Sequence, residues 1–510
     1  MTNTTENNKR IAKNTLLLYV RMLFMMAVSL YTSRVVLNAL GVEDFGIYNV
    51  VGGVVAMFSV VSASLSSSIS RFITYELGKG NQENLNKIFS SAVTIQIGLA
   101  GIIILLAETI GIWFLNVKMN IPEIRMEAAN WVFQFSILTF AINLISVPYN
   151  ASIIAHEKMS AFAYISILEA IGKLAIAYLI VVSPMDKLIF YAILMCIVAL
   201  IVRFTYGNYC KRHFSECTYH FIWDKQLLKQ MFSFAGWNFI GASSVVLRDQ
   251  GGNIIINLFC GPSVNAARSI AFQVSNTINQ FVTNFMTALN PQITKSYATA
   301  NKEYMMTLIF KGARFSFYML LFISLPILIN THYLLELWLK IVPNHTASFV
   351  QLILIFAISE SISHPLITAM LATGKIRNYQ IIVGGLQMMN LPLSYIFLHF
   401  GFFPEIVIVI AIFISQCCLI ARLLLLRKMI GISIHQYIKK VYLNIIIVSI
   451  TSTILPFIAS LYIKDTFIGF IFLCIIATSS TIISIYLFGF NKEERQFITN
   501  KLRNNFIYKK

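Results

Sequence analysis

The stretch "LGVEDFGIYNVVGG", Leu40 to Gly53, has a second version further along the chain: "CGPSVNAARSIAFQ", Cys260 to Gln273. Each is a short glycine-containing turn that enters a long helix streaked with polar residues. Each of those helices ends in a hydrophilic loop, "ELGKGNQENLNKIF" in the first case and "YATANKEYMMTLIF" in the second. A second pair of segments recurs in the same order. "FAINLISVPYNASIIAHEK" matches "FAISESISHPLITAMLATGK", with Pro148 against Pro365 and Lys158 against Lys375 at the same separation. Two matched blocks in one order point to an internal repeat rather than a shared oily composition.

The composition says what kind of unit is repeated. The 510 residues are 57% hydrophobic and 12% charged, with a mean hydropathy of +0.73, where soluble domains carry roughly 25% charged residues. Apolar stretches long enough for a helix to cross a hydrocarbon core of about 30 Å recur between short polar breaks, about fourteen in all. They lack the short alternation that barrel strands need. The expected fold is therefore an all-α polytopic membrane protein of about 14 transmembrane helices. Six spans separate the matched blocks, an even number, so the repeats run parallel as two six-helix lobes with two C-terminal helices outside the scheme. The boundaries read as 1–210 for the first lobe, 211–231 for a cytoplasmic linker, 232–430 for the second lobe, 431–490 for spans thirteen and fourteen, and 491–510 for a basic tail. Within the linker, Leu227, Leu228, Met231 and Phe232 alternate with Lys225, Lys229 and Gln230, a pattern suited to an amphipathic helix lying in the membrane interface.

The net charge of +18 is distributed by side of the membrane. If the N-terminus is cytoplasmic, Lys9, Arg10, Lys13, Lys158, Lys211, Arg212, Lys375, Arg427 and Lys428 fall on one side, along with the tail. The other side receives little beyond Lys118, Lys187, Lys340 and Lys464. This positive-inside bias places both termini in the cytoplasm and accounts for the basicity without nucleic acid. The first apolar run is longer than a signal-peptide core and contains Arg21, so it reads as a retained span. The seven Cys include no CxxC pair, and the eight His show no metal-ligand spacing. Neither set marks a site, and no metal or cofactor is expected.

The polar groups inside the spans are the functional signal. On a helix, Gln273, Asn276, Gln280, Thr283 and Thr287 share one broad face, with Arg268 and Asn279 on its flank. An unpaired polar group in hydrocarbon costs several kcal/mol, so this face must meet a hydrated cavity or a dry polar helix interface. In the span before it, Asn238, Asp249 and Asn253 lie close together around the helix, and Arg248 is adjacent to Asp249. The run "SVVSASLSSSISR" from Ser59 occupies the corresponding place in the first half, and its serines suit either polar lining or close helix packing. Ionisable residues at a helix centre cost about 2.5–3.5 kcal/mol each and mark functional candidates. Arg21, Arg248 and Arg268 stand out, with Glu108, Asp249, Glu169 and Glu360 as the acidic groups, whereas Arg34 and Lys311 suit snorkelling to an interface. Several Arg around one cavity favour an anion, because guanidinium engages phosphate through paired hydrogen bonds.

"RVVLNALGVEDFGIYNVVGG" after a span with an internal Arg, six spans repeated and two added, and the prolines of spans four and ten together resemble the polysaccharide flippases (O-antigen and capsule type) of the multidrug/oligosaccharidyl-lipid/polysaccharide (MOP) exporter superfamily. The resemblance covers essentially the whole chain. It implies a V-shaped inner-membrane transporter that passes undecaprenyl-diphosphate-linked oligosaccharides to the periplasmic leaflet by alternating access. A lipid II-type or multidrug exporter of the same superfamily is the alternative, followed by a membrane enzyme on lipid-linked glycans. No large outer loop or acidic metal pair supports an enzyme. The first span carries Arg21 and no Asp or Glu, a departure from multidrug exporters that disfavours cationic drugs. By this resemblance Arg21, Arg248 and Arg268 hold the diphosphate, while Asn253, Gln273, Asn276, Asn279 and Gln280 meet sugar hydroxyls. Asp249 or Glu169 is the candidate for coupling to H+ or Na+. The implied partners are the lipid-linked oligosaccharide, membrane lipids and other polysaccharide-assembly proteins.

Overall fold

The structure is a computed structural model that describes residues 2–56, 59–119, 121–183, 185–339, 342–463, 466–492 and 494–496. All regular structure among them is helical. The helices are α1 (Thr2–Ala56), α2 (Ser59–Lys79), α3 (Gln82–Val117), α4 (Glu123–Ala155), α5 (Met159–Val182), α6 (Lys187–His213) and α7 (Lys225–Ala298). They continue with α8 (Lys302–Ile329), α9 (Thr331–Leu339), α10 (Thr346–Ser361), α11 (His364–Thr373), α12 (Arg377–His399), α13 (Ile406–Ile430), α14 (Ile434–Ser460) and α15 (Phe467–Gly489). Polar caps set the starts: Asp186 accepts from the N–H groups of Leu188 and Ile189, and Asp224 from those of Gln226 and Leu227. Left-handed Gly374 and Gly431 end α11 and α13.

Among the described residues, ten helices are long and apolar enough to cross a membrane, or eleven when the bent pair α10–α11 counts as one span. That is fewer than the fourteen expected. The segments outside this set are residues 42–79 and the two halves of α7, which carry the polar streaks noted above. The two halves of α7 form as expected, but their polar load keeps them from qualifying as apolar spans, whereas the span expected over 45–72 includes residues 57–58, which lie outside the described residues. Elsewhere the outward faces are oily: Ile468, Ile471, Phe472, Ile475, Ile482 and Ile483 of α15 are all exposed, an arrangement suited to lipid.

The repeat is visible in backbone angles. α1 is broken at Gly41, with φ 82° and ψ 169°, and α7 at Gly261, with φ 83° and ψ 175°. Only glycine adopts this region without strain. The two proline segments differ in detail. Pro148 sits inside the continuous α4, whereas Pro365 opens α11 after a 42° bend from α10. Phe140 precedes Pro148 by eight positions and Phe356 precedes Pro365 by nine, so the second copy holds one extra residue that a continuous helix could not absorb without rotating everything beyond it. The bend exposes the carbonyl of Ile362, and the fully buried Tyr437 of α14 donates its hydroxyl to it at 3.0 Å.

The chain forms two compact units: residues up to Ala242 with Thr294–Asn301, and Ser243–Ile293 with the chain from Lys302 onward. The division falls twice within α7, before Ser243 and after Ile293. Residues 225–232, expected as a separate interfacial helix, are the first turns of α7; the cap at Asp224 starts a helix that nothing interrupts before Gly261. In the first unit α4 packs on α1, α2, α3 and α6. Gly111 allows that approach, since a Cβ there would lie 2.6 Å from the buried Phe133 ring. In the second, α8 packs on α10, α11, α14 and α15, and α13 on α10 and α12.

Candidate functional site

Arg248, Asp249, Asn253 and Arg268 lie together in the second unit, on the two sides of the Gly261 break. Arg248 Nε donates to Asp249 Oδ1 at 2.8 Å, and its Nη1 reaches Glu360 Oε1 at 3.5 Å from α10. Arg268 Nη1 donates to the Asp249 carbonyl at 3.2 Å and to the Asn253 side-chain oxygen. The guanidinium groups also cover aromatic rings, Arg268 over Phe272 at 4.3 Å and Arg248 over Phe356 at 4.9 Å. Gly252 makes the geometry possible: a Cβ there would stand 2.7 Å from Arg268 Nη2.

Arg248, Asp249, Arg268, Phe272 and Phe356 border a cavity of about 20 Å³, room for roughly one water. Two donors on its wall are unsatisfied, Arg268 Nε and Nδ2 of Asn390, a residue only 2% exposed. Buried donors without acceptors are rare and costly, so the cavity suits an acceptor such as a water or an anionic oxygen. Most of the cationic charge is already answered by Asp249 and Glu360, so an incoming anion must compete with carboxylates.

The other expected residues are placed as follows. Arg21 belongs to the first unit, half-buried 4.3 Å over the Phe162 ring, with its Nε unpartnered and Glu169 and Tyr206 as electrostatic neighbours. Glu169 pairs with Lys173 at 2.6 Å. On α7, Gln273, Asn276 and Gln280 are exposed and their side chains make no hydrogen bond among the described residues. Asn279 is half-buried and donates to Ser275 Oγ at 3.3 Å. Thr283 and Thr287 satisfy themselves on the carbonyls four residues back, at 3.0 and 2.8 Å. Of the polar face, then, the amides of Gln273, Asn276 and Gln280 are free for a ligand, while the Asn279 amide and the hydroxyls are committed to the helix. Among the described residues no group of three or more His, Cys, Asp and Glu is arranged to hold a metal.

The family model for "Polysaccharide biosynthesis protein" matches residues 11–297, more than half of the chain. The chain belongs to the polysaccharide biosynthesis protein family. A curated relative in Bacillus subtilis (strain 168), "Uncharacterized membrane protein EpsK", is 20% identical over 289 residues; the match spans 56% of this chain and 57% of EpsK. Several solved structures share the fold. A multidrug resistance MATE family transporter of the MOP superfamily in its outward-facing conformation aligns at TM-score 0.69 and 14% identity, over 82% of this chain and 96% of that one. A MOP superfamily transporter from Pyrococcus furiosus aligns at 0.69 and 13%, over 82% and 96%. A MATE in the bent conformation aligns at 0.72 and 13%, over 83% and 96%.

Two features of this polysaccharide biosynthesis protein escaped the sequence reading. Arg422 on α13 is 2% exposed and an electrostatic neighbour of Glu360; a lone Arg within "CLIARLLLL" was the available signal. Arg125 bridges Asp44 and Asp186, with Nε 2.7 Å from Asp44 Oδ1 and Nη1 2.6 Å from Asp186 Oδ2. It thereby ties the turn after Gly41 to the starts of α4 and α6. Burial works against the charge on Asp186, but hydrogen bonds from Arg125 and the Ile189 N–H outweigh it and hold that carboxyl below its ordinary range.

Proposed function

We propose that this protein translocates undecaprenyl-diphosphate-linked oligosaccharides from the cytoplasmic to the periplasmic leaflet of the bacterial inner membrane, by alternating access, for surface polysaccharide biosynthesis. The observation that carries the reading is the convergence of Arg248, Arg268 and the unsatisfied Asn390 amide on one small cavity inside an apolar bundle. Paired guanidinium groups recognise a diphosphate by charge and by geometry. In this mechanism the diphosphate displaces Asp249 and Glu360 from Arg248 and engages Arg268 beside it, with Arg21 a further contact during passage. The free amides of Gln273, Asn276 and Gln280, with Asn253 and Asn279, hydrogen-bond the glycan directly or through water. The polyprenyl chain stays in lipid. Carboxylates released by the headgroup, Asp249 first, or Glu169 in the first unit, take H+ or Na+ and reset the cycle. Both termini are cytoplasmic in this scheme, following the positive-inside bias. The protein works as a carrier rather than a catalyst, alongside other polysaccharide-assembly proteins.

The test is flipping of a fluorescent undecaprenyl-diphosphate glycan in proteoliposomes. Arg268→Ala and Arg248→Ala are expected to reduce the rate by about tenfold or more, the size of one lost charge-assisted hydrogen bond. Undiminished flipping in both variants rules out these cations as headgroup ligands, and a wild-type protein that moves no glycan lipid rules out the reading as a whole.

A further inference from the structure

The cavity of the second unit has a repeat-related counterpart in the first. Tyr48 stands seven residues beyond Gly41, as Arg268 stands seven beyond Gly261; Gly52 and Phe272 each stand eleven beyond. Tyr48 and Gly52 line a cavity of the first unit, as Arg268 and Phe272 line that of the second. The matched helices α4 and α10 supply Phe140 and Phe356, the first residues of their "FAI" segments, to the same two walls. The residues have changed in size and charge. With glycine in place of Phe272 and tyrosine in place of Arg268, the first cavity holds about 200 Å³ where the second holds about 20 Å³.

The chemistry of the larger cavity is neutral. Among the described residues its lining includes no Asp, Glu, Lys, Arg or His, so neither a phosphate nor a metal ion finds a counter-charge among them. Three polar side chains line it from α4: Ser136, Thr139 and Asn143, at spacings of three and four that put them on one helix face. None of the three makes a hydrogen bond among the described residues. This is unusual for the chain, whose helical hydroxyls commonly bond the carbonyl four residues back, as Ser146 does to Ile142 at 2.9 Å and Thr109 to Leu105 at 2.8 Å. The walls are aromatic and held firm: Tyr48 packs edge-on to Tyr191 at 4.7 Å, and Phe135 stacks on Trp131 at 6.1 Å.

We infer that this cavity of the first unit binds one uncharged pyranose ring. Hydroxyl and amide groups donate and accept, as sugar hydroxyls do, and the aromatic walls suit the apolar C–H face of the ring. A few placed polar groups on aromatic walls is the usual makeup of a small-molecule site. An isoprenoid or acyl chain in the same space would leave three polar side chains unanswered, at about 1–3 kcal/mol each. That the sugar belongs to a lipid-linked glycan rests on the transporter reading above; the binding chemistry does not.

The experiment is saturation-transfer-difference NMR on the full chain in lipid nanodiscs free of sugar detergents, with methyl glucopyranoside and methyl N-acetylglucosaminide as separate probes. Wild-type protein is expected to transfer saturation to ring protons. Gly52→Phe is expected to abolish the transfer, because a Cβ at Gly52 meets no heavy atom within 4 Å and the new ring can enter the cavity. Asn143→Leu is expected to weaken affinity by about tenfold, as for one lost hydrogen bond, and Ser136→Ala serves if that variant fails to fold. Arg268→Ala, altered only in the other unit, should bind as wild type. Absence of transfer from both probes, or equal transfer in wild type and Gly52→Phe, overturns the inference. Sugar binding without glycan-lipid flipping in the wild type would leave this site standing and remove the transport reading, and flipping without sugar binding would do the reverse.

Discussion

The two cavities show one backbone plan carrying two chemistries. In the first unit the space beside Tyr48 is open, uncharged and edged by unpaired hydroxyl and amide groups. In the second, the matching space is almost closed by Arg268, Phe272 and Phe356, with Asp249 and Glu360 answering the guanidinium charge. Backbone breaks at Gly41 and Gly261 agree closely in φ and ψ, so the divergence lies in side chains. Glycine breaks fix where the helices turn, and the residues seven and eleven positions later decide what the resulting space can hold.

The largest expected effect separates the units by charge. Glu360→Leu leaves Arg248 and the 2%-exposed Arg422 short of a carboxylate and should cost about 3–5 kcal/mol. Asn143→Leu, where Asn143 precedes Pro148 by the same five positions as Glu360 precedes Pro365, should cost under about 1 kcal/mol. Thermal melting in detergent compares the two, and equal losses would break the contrast. Gly41→Val and Gly261→Val test the shared plan, since each forces a side chain into a region that glycine alone tolerates, at about 1–3 kcal/mol. The two should destabilise alike; a large loss for one and none for the other would end the equivalence.

Tyr437→Phe should cost about 1–3 kcal/mol by orphaning the Ile362 carbonyl. The continuous α4 has no break of this kind, so the effect belongs to the second unit, and amide exchange around residues 360–366 should locate it there. The smallest effect is an acid dependence in the first unit. Glu216 meets His156 Nε2 at 2.5 Å and Gln82 Nε2 at 3.2 Å. Burial opposes its charge, but the hydrogen bond from His156 and one from its own backbone N–H outweigh that and lower its pKa below the ordinary 4.5. The folded state therefore favours the carboxylate. Its contribution is complete above that ordinary value and is lost as the pH falls through the lowered one. Glu216→Gln should flatten this acid limb of the melting profile, and an unchanged limb would assign it elsewhere.

Hydropathy, the matched blocks and the polar streaks of α7 were legible in the sequence because they depend on local periodicity, which a helix converts directly into faces. The glycines of the two breaks were visible as turns, and Arg248, Asp249, Asn253 and Arg268 were named from their cost in an apolar segment. What the residues alone left open was whom they meet. Glu360 reaches Arg248 from another helix, Asn390 brings an unsatisfied amide to the same wall, and Arg422 approaches Glu360 from α13. Those meetings depend on how α10, α12 and α13 are rotated against α7, a matter of long-range packing that no local pattern encodes. Cavity size has the same origin: a glycine against a phenylalanine at equivalent positions is plain in the sequence, but only packed helices turn that difference into an open space in one unit and a filled one in the other.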